Sequence, residues 1–118
     1  MTYIDLYVLP VPNDRIDDYK KIVAESAPLW REYGATAYVE AIADDAPYGQ
    51  RTSFPRSVEV KDDETVFVSW LVYPDKATRD AAAKRMMEDP RMKGFMDNMP
   101  TDGERMIFGG FEAFHEQS

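Results

Sequence analysis

The stretch Val66-Phe67-Val68-Ser69-Trp70-Leu71-Val72 is apolar in both phases of its alternation, Ser69 apart. Successive side chains of a strand point to opposite faces, so such a segment needs a cover on each side. It reads as a central strand over Thr65 to Tyr73 and dictates the rest of the architecture. Helices from the same short chain can cover one face of a sheet. The other face then demands a ligand-filled cleft or a second subunit.

The flanking sequence supplies the remaining elements. Tyr3 to Leu9 alternates Ile4, Leu6 and Val8 with Tyr3, Asp5 and Tyr7, a first strand closed by Pro10 and Pro12. Asn13 is the expected N-cap of a helix with Asp14 and Asp17 in its first turn. Its buried stripe is Ile16, Tyr19, Val23, Ala27 and Trp30, and Gly34 stops it. Pro28 predicts a kink or break near Ala24 to Ala27. A second strand, Thr36 to Ala43, sets Ala37, Val39 and Ala41 toward the helices and Tyr38, Glu40 and Ile42 away from them. A connection rich in turn formers runs from Asp44 to Pro55, with room for a short strand at Ser57 to Val60.

After the central strand, Asp75 caps a helix reaching about Glu88, and Asp89-Pro90 opens a further turn through Met92, Phe95 and Met96. The last strand spans Glu104 to Phe114, where Gly109-Gly110 marks a bulge or a close backbone approach. Strand-helix-strand, twice over, predicts one α+β domain across residues 1–118. Its order is βαββαβ, ferredoxin-like, with a four-stranded antiparallel sheet and two helices on one face.

Composition narrows function mainly by exclusion. The chain has no cysteine, which removes disulfides, thiolate metal sites and cysteine nucleophiles together. The single histidine, His115, lies beyond the last apolar residue, so neither a histidine triad nor a histidine-rich metal site can be assembled within one chain. No spacing corresponds to a phosphate-binding glycine loop, and nothing calls for a metal or cofactor. The N-terminus lacks a basic segment followed by an apolar one, and no apolar run approaches a membrane span, so a cytoplasmic protein is expected. A net charge of −8 with no basic tract argues against nucleic acid.

Carboxylates carry what chemistry remains. By the alternation above, Asp5 and Glu40 point away from the helices, where a desolvated carboxylate can act as a general acid or base. A salt bridge to Arg105 or to a loop arginine is the weightier reading. Arg51 and Arg56, flanking Phe54, are candidate anion contacts alongside Arg105, whereas Arg79 and Arg85 read as solvated helix-surface charges. Six of the seven methionines fall between Met86 and Met106, a soft surface suited to a pocket, a core or a dimer contact.

Several short motifs carry a resemblance across nearly the whole chain. They include Asp63-Glu64-Thr65-Val66, Ser69-Trp70, Tyr73-Pro74, Arg79-Asp80-Ala81, Asp89-Pro90-Arg91-Met92, Met99-Pro100, Arg105-Met106-Ile107 and Gly109-Gly110-Phe111. With Ala27-Pro28-Leu29 and Asp44-Asp45 upstream, the sequence resembles the YbaA-like family of uncharacterised bacterial proteins, also called domain of unknown function 1428. Thr101, Glu104 and Phe108 depart from that pattern, where Phe, Lys and Tyr are usual; if Phe108 lies in a pocket, a hydroxyl is missing there. The resemblance implies a dimeric α/β barrel, a homodimer whose two sheets face each other, and brings no activity or catalytic residues.

Two functional readings follow. In one, a small molecule binds between the sheets of the dimer, lined by Asp5, Tyr7, Tyr38, Glu40, Trp70 and Arg105, by analogy with cofactor-free monooxygenases of similar fold. In the other, the same residues are packing in a non-catalytic dimeric binding or stress-associated module. RNA binding ranks last.

Overall fold

The computed structural model describes residues 1–117. Strand β1 (Tyr3–Pro12) leads through a short 3-10 turn (Asn13–Arg15) into helix α1 (Ile16–Tyr33) and strand β2 (Ala37–Ile42). The one-turn helix α2 (Phe54–Ser57) lies in the long connection before β3 (Glu64–Tyr73), which is followed by α3 (Lys76–Glu88), α4 (Pro90–Asp97) and β4 (Ile107–Glu112). The sheet has the order β2-β3-β1-β4 with every pair antiparallel. This is the ferredoxin-like arrangement expected, and β3 is central in it.

Local chemistry explains most boundaries. Asp75 accepts a hydrogen bond from the Thr78 N–H at 2.7 Å, and Asp89 accepts one from the Arg91 N–H at 2.9 Å with Pro90 at the first helical position. Gly34 ends α1 at φ 121°, a backbone region that penalises a Cβ, while the Gly34 and Ala35 N–H groups bond the carbonyls of Arg31 and Trp30. Helix α1 runs on through Pro28 without the expected break. Asn13 does not cap it: its side chain accepts from the Thr65 hydroxyl and its N–H bonds the Asp63 carbonyl, tying the end of β1 to the start of β3. Ser57 to Val60 is no strand, because the Ser53 hydroxyl caps α2 by accepting from the Arg56 N–H at 3.0 Å.

Strand β1 continues three residues past the predicted end, through both prolines. The pairing explains this. β4 covers β1 only from Tyr3 to Val8, so beyond Val8 that margin of β1 is free of a ladder and a missing N–H costs nothing there. The Pro10 carbonyl on this margin accepts from the Thr101 hydroxyl at 2.6 Å. β4 itself is shorter than predicted and keeps an unbroken register with β1, so Gly109-Gly110 forms no bulge. The close approach is real at Gly110, where a Cβ would come within 2.5 Å of Tyr3 Oη and 2.6 Å of Arg79 Nη2.

The core lies between the sheet and α1, α3 and α4. One cluster joins Leu29, Trp30 and Tyr33 of α1 to Leu71 and Tyr73 of β3, Ala82 of α3 and Met92 of α4. A second joins Leu9 and Val11 of β1 to Tyr19 and Phe67. The helices therefore cover the face carrying Tyr3, Asp5, Tyr7, Leu9 and Val11, whose register partners on β2 and β3 include Tyr38, Glu40, Ser69 and Leu71. This reverses the phase predicted for β1 and β2. Asp5 and Glu40 face the helices, and the far face carries Ile4, Leu6, Val8, Val39, Val68, Trp70, Val72, Ile107 and Phe111.

That far face is apolar and only partly covered. At one end Pro10 and Val66, register partners, are buried, as are Pro55 and Val58 of the long connection whose α2 packs on β3. Elsewhere Leu6 is 40% exposed, Ile107 43% and Phe111 55%. None of the described helices is long and apolar enough to cross a membrane.

Candidate functional site

Three residues stand in one row across the helix face, because Tyr7 of β1 pairs with Ser69 of β3 and Ser69 pairs with Glu40 of β2. Ser69 is a small residue between the inward Phe67 and Leu71 of β3. Directly opposed side chains lie about 5 Å apart at Cβ, so a small central residue leaves a hollow between larger neighbours. The helices roof this hollow into a cavity of about 420 Å³.

Its walls divide by chemistry. Leu9, Leu71, Trp30 and the methionines Met86, Met96, Met99 and Met106 form the apolar part. Met96 is also exposed to solvent and marks the mouth. Tyr7, Tyr19, Tyr38, Glu40, Ser26, Ser69 and Thr101 supply the polar groups. Ser26 Oγ donates to the Val23 carbonyl and Thr101 Oγ1 to that of Pro10, so those hydroxyls are engaged. Tyr19 Oη donates to Glu40 Oε1 at 2.7 Å, and Tyr38 Oη donates to Glu40 Oε2. Tyr7 Oη and Ser69 Oγ hydrogen-bond to no other described residue and open onto the cavity; among the described residues no fully buried side-chain oxygen is left without a partner.

Burial raises the Glu40 pKa above its ordinary value of 4.5, and the two tyrosine hydrogen bonds only partly oppose this. Among the described residues no arginine or lysine forms a salt bridge with it. The three cavity tyrosines are pushed well above the ordinary value, by burial first and, for Tyr19 and Tyr38, by the Glu40 charge next. All three stay protonated phenols, and Tyr19 and Tyr38 donate to Glu40. Among the described residues lining the cavity, none is a lysine, arginine or histidine.

The predicted site residues separate into three groups. Tyr7, Tyr38 and Glu40 come together at this cavity, on the helix side of the sheet rather than between two sheets. Asp5 shares that face but is not in the lining; Arg79 holds it, with Nε 3.0 and 3.1 Å from its two oxygens and Nη2 3.0 Å from one. Arg79 is thus a largely buried partner, also donating to Asp80, and not the solvated charge expected. Arg105 does not meet Asp5 or Glu40. It clamps Glu64 through two bonds of 2.7 Å and reaches Asp102 at 2.9 Å, holding Glu64 below the usual carboxylate range. Trp70 lies on the far face.

The loop arginines do not converge on an anion site. Arg56 Nε bonds the Tyr48 carbonyl and its guanidinium lies 3.9 Å from the Tyr48 ring centre, while Arg51 is exposed. Phe108 stacks against Tyr7 with ring centres 4.9 Å apart and is half exposed, outside the cavity lining. Residues that sequence reasoning missed are Ser69, Tyr19, Trp30 and Thr101. The available signal was Ser69, the one hydroxyl interrupting the apolar run Val66 to Val72.

Comparison with known proteins places this geometry in a wider setting. The "Uncharacterized protein YbaA" of Escherichia coli strain K12 is 47% identical over 117 residues, spanning 99% of this chain and all of that protein. Among solved structures, a dimeric ferredoxin-like protein from an uncultured marine organism superposes with a TM-score of 0.66 at 10% identity, over 98% of each chain. SnoaB, a cofactor-independent oxygenase from Streptomyces nogalater solved in a mutant form, gives 0.63 at 13% identity, over 98% of this chain and 95% of that one. At such identities these two share the fold alone. A family model described as a protein of unknown function (DUF1428) matches residues 2–103, and with the YbaA identity it establishes that the chain belongs to that family.

Proposed function

We propose that this protein binds a small organic molecule in the cavity between its sheet and helices, and does so as a homodimer built on the apolar far face. The observation that carries the binding reading is the convergence of Glu40, Tyr7 and Ser69 in an otherwise apolar hollow. Polar groups inside a fold are normally partnered, and two here open onto the cavity instead. The volume falls in the ordinary range for small-molecule sites. The likeness to a cofactor-independent oxygenase supports the same reading as an analogy of fold.

The dimer is supported by the exposed Leu6, Val39, Ile107 and Phe111 on one face, and by structural neighbours described as dimeric ferredoxin-like proteins. Because that face is opposite the cavity, assembly leaves the cavity's lining to each chain alone.

A fragment screen by thermal shift tests the binding reading, with Ser69→Leu as control. Stabilising hits that disappear when leucine fills the hollow are expected; a screen without such hits would overturn it. Sedimentation tests assembly. Wild type is expected to run as a dimer and Leu6→Lys as a monomer.

A further inference from the structure

The following rests on the small-molecule reading above and concerns what the cavity selects. We infer that the Glu40 cavity takes an uncharged, largely apolar molecule bearing a hydroxyl group, and rejects anions. Each carboxylate oxygen of Glu40 accepts one tyrosine hydrogen bond, and a carboxylate oxygen has room for two, so acceptor capacity remains on both. The pairing of Glu40 with Ser69 and of Ser69 with Tyr7 lines up that capacity beside two free hydroxyls.

A ligand hydroxyl matches this row, because it both donates and accepts. It donates to Glu40 and accepts from Ser69 Oγ or Tyr7 Oη, so one small group meets a hydroxyl that faces the cavity and extends the network to the carboxylate. A hydrocarbon of the same shape fills the methionine and tryptophan wall but leaves those groups unmet. A carboxylate or phosphate sets a second negative charge beside Glu40, with no cationic side chain in the lining to offset it.

Fluorescence titration of the full chain at pH 7 with 2-naphthol, naphthalene and 2-naphthoate tests this. Naphthol is expected to bind at least about tenfold more tightly than naphthalene, the worth of a hydrogen bond to a charged group. Naphthoate is expected to bind more weakly than either. Glu40→Gln should bring naphthol toward naphthalene and narrow the disadvantage of naphthoate, and Ser69→Leu should abolish all three. Naphthoate binding as well as naphthol in wild type would overturn the inference, as would an unchanged preference for naphthol over naphthalene in Glu40→Gln. Failure of all three probes also overturns it, and the fragment screen then decides whether the small-molecule reading falls with it.

Discussion

Asp5 and Glu40 sit on the same face of one sheet, either side of β3, and the protein treats them oppositely. Asp5 is met by a guanidinium, and room for that pairing is made by Gly110, whose missing side chain admits Tyr3 and Arg79. Among the described residues, Glu40 is met by the phenolic hydroxyls of Tyr19 and Tyr38 and borders an open volume. A carboxylate closed off by a cation and packing is a strut of the fold. One held by neutral donors beside a cavity keeps its charge in play, with its pKa moved upward by burial.

Substitutions that break this contrast differ in size. Arg79→Met should be the most damaging, because it strands Asp5 in the interior without its cation. A loss of about 3–5 kcal/mol in urea unfolding is expected, and a loss below about 1 kcal/mol would mean the pair is solvated. Gly110→Ala should cost about 1–3 kcal/mol by crowding Tyr3 and Arg79, measured the same way.

Glu40→Gln should be the mildest, within about 1 kcal/mol of wild type at neutral pH. Its signature lies in pH dependence. Tyr19 from α1, Tyr38 from β2 and Tyr7 from β1 face Glu40, and all stay protonated. The folded pKa of Glu40 is raised, so its contribution to stability is present below the ordinary value of 4.5 and is lost as pH climbs through the raised folded value. Wild type should therefore lose stability relative to Glu40→Gln in a window opening near pH 4.5 and extending upward. Equal slopes for the two proteins would show that burial does not perturb this carboxyl.

Much of the scaffold was readable from residues, and the reason is local. Asp75, the Asp89-Pro90 pair and Gly34 act on their own neighbours within a turn, and the doubly apolar β3 announces a central strand whatever surrounds it. The face occupied by Asp5 and Glu40 was not readable the same way. Alternation in β1 defines two sides but not which one the helices choose, and aliphatic Ile4, Leu6 and Val8 look more like core than Tyr3, Asp5 and Tyr7. The deciding residues were Leu9 and Val11, which share the phase of Asp5 and are buried; ending the strand at Pro10 hid that continuity. The partner of Asp5 was hidden for a different reason, being 74 positions away on a helix that looked wholly exposed.

The prolines that obscured this phase have a consequence for how molecules meet one another. Past Val8 the margin of β1 lacks the N–H groups of residues 10 and 12, and the Pro10 carbonyl is already taken by Thr101. A strand from another chain arriving there would find no ladder to join. The molecule can thus leave one broad apolar surface uncovered while this edge, close beside it, stays closed to the open-ended pairing that builds fibres.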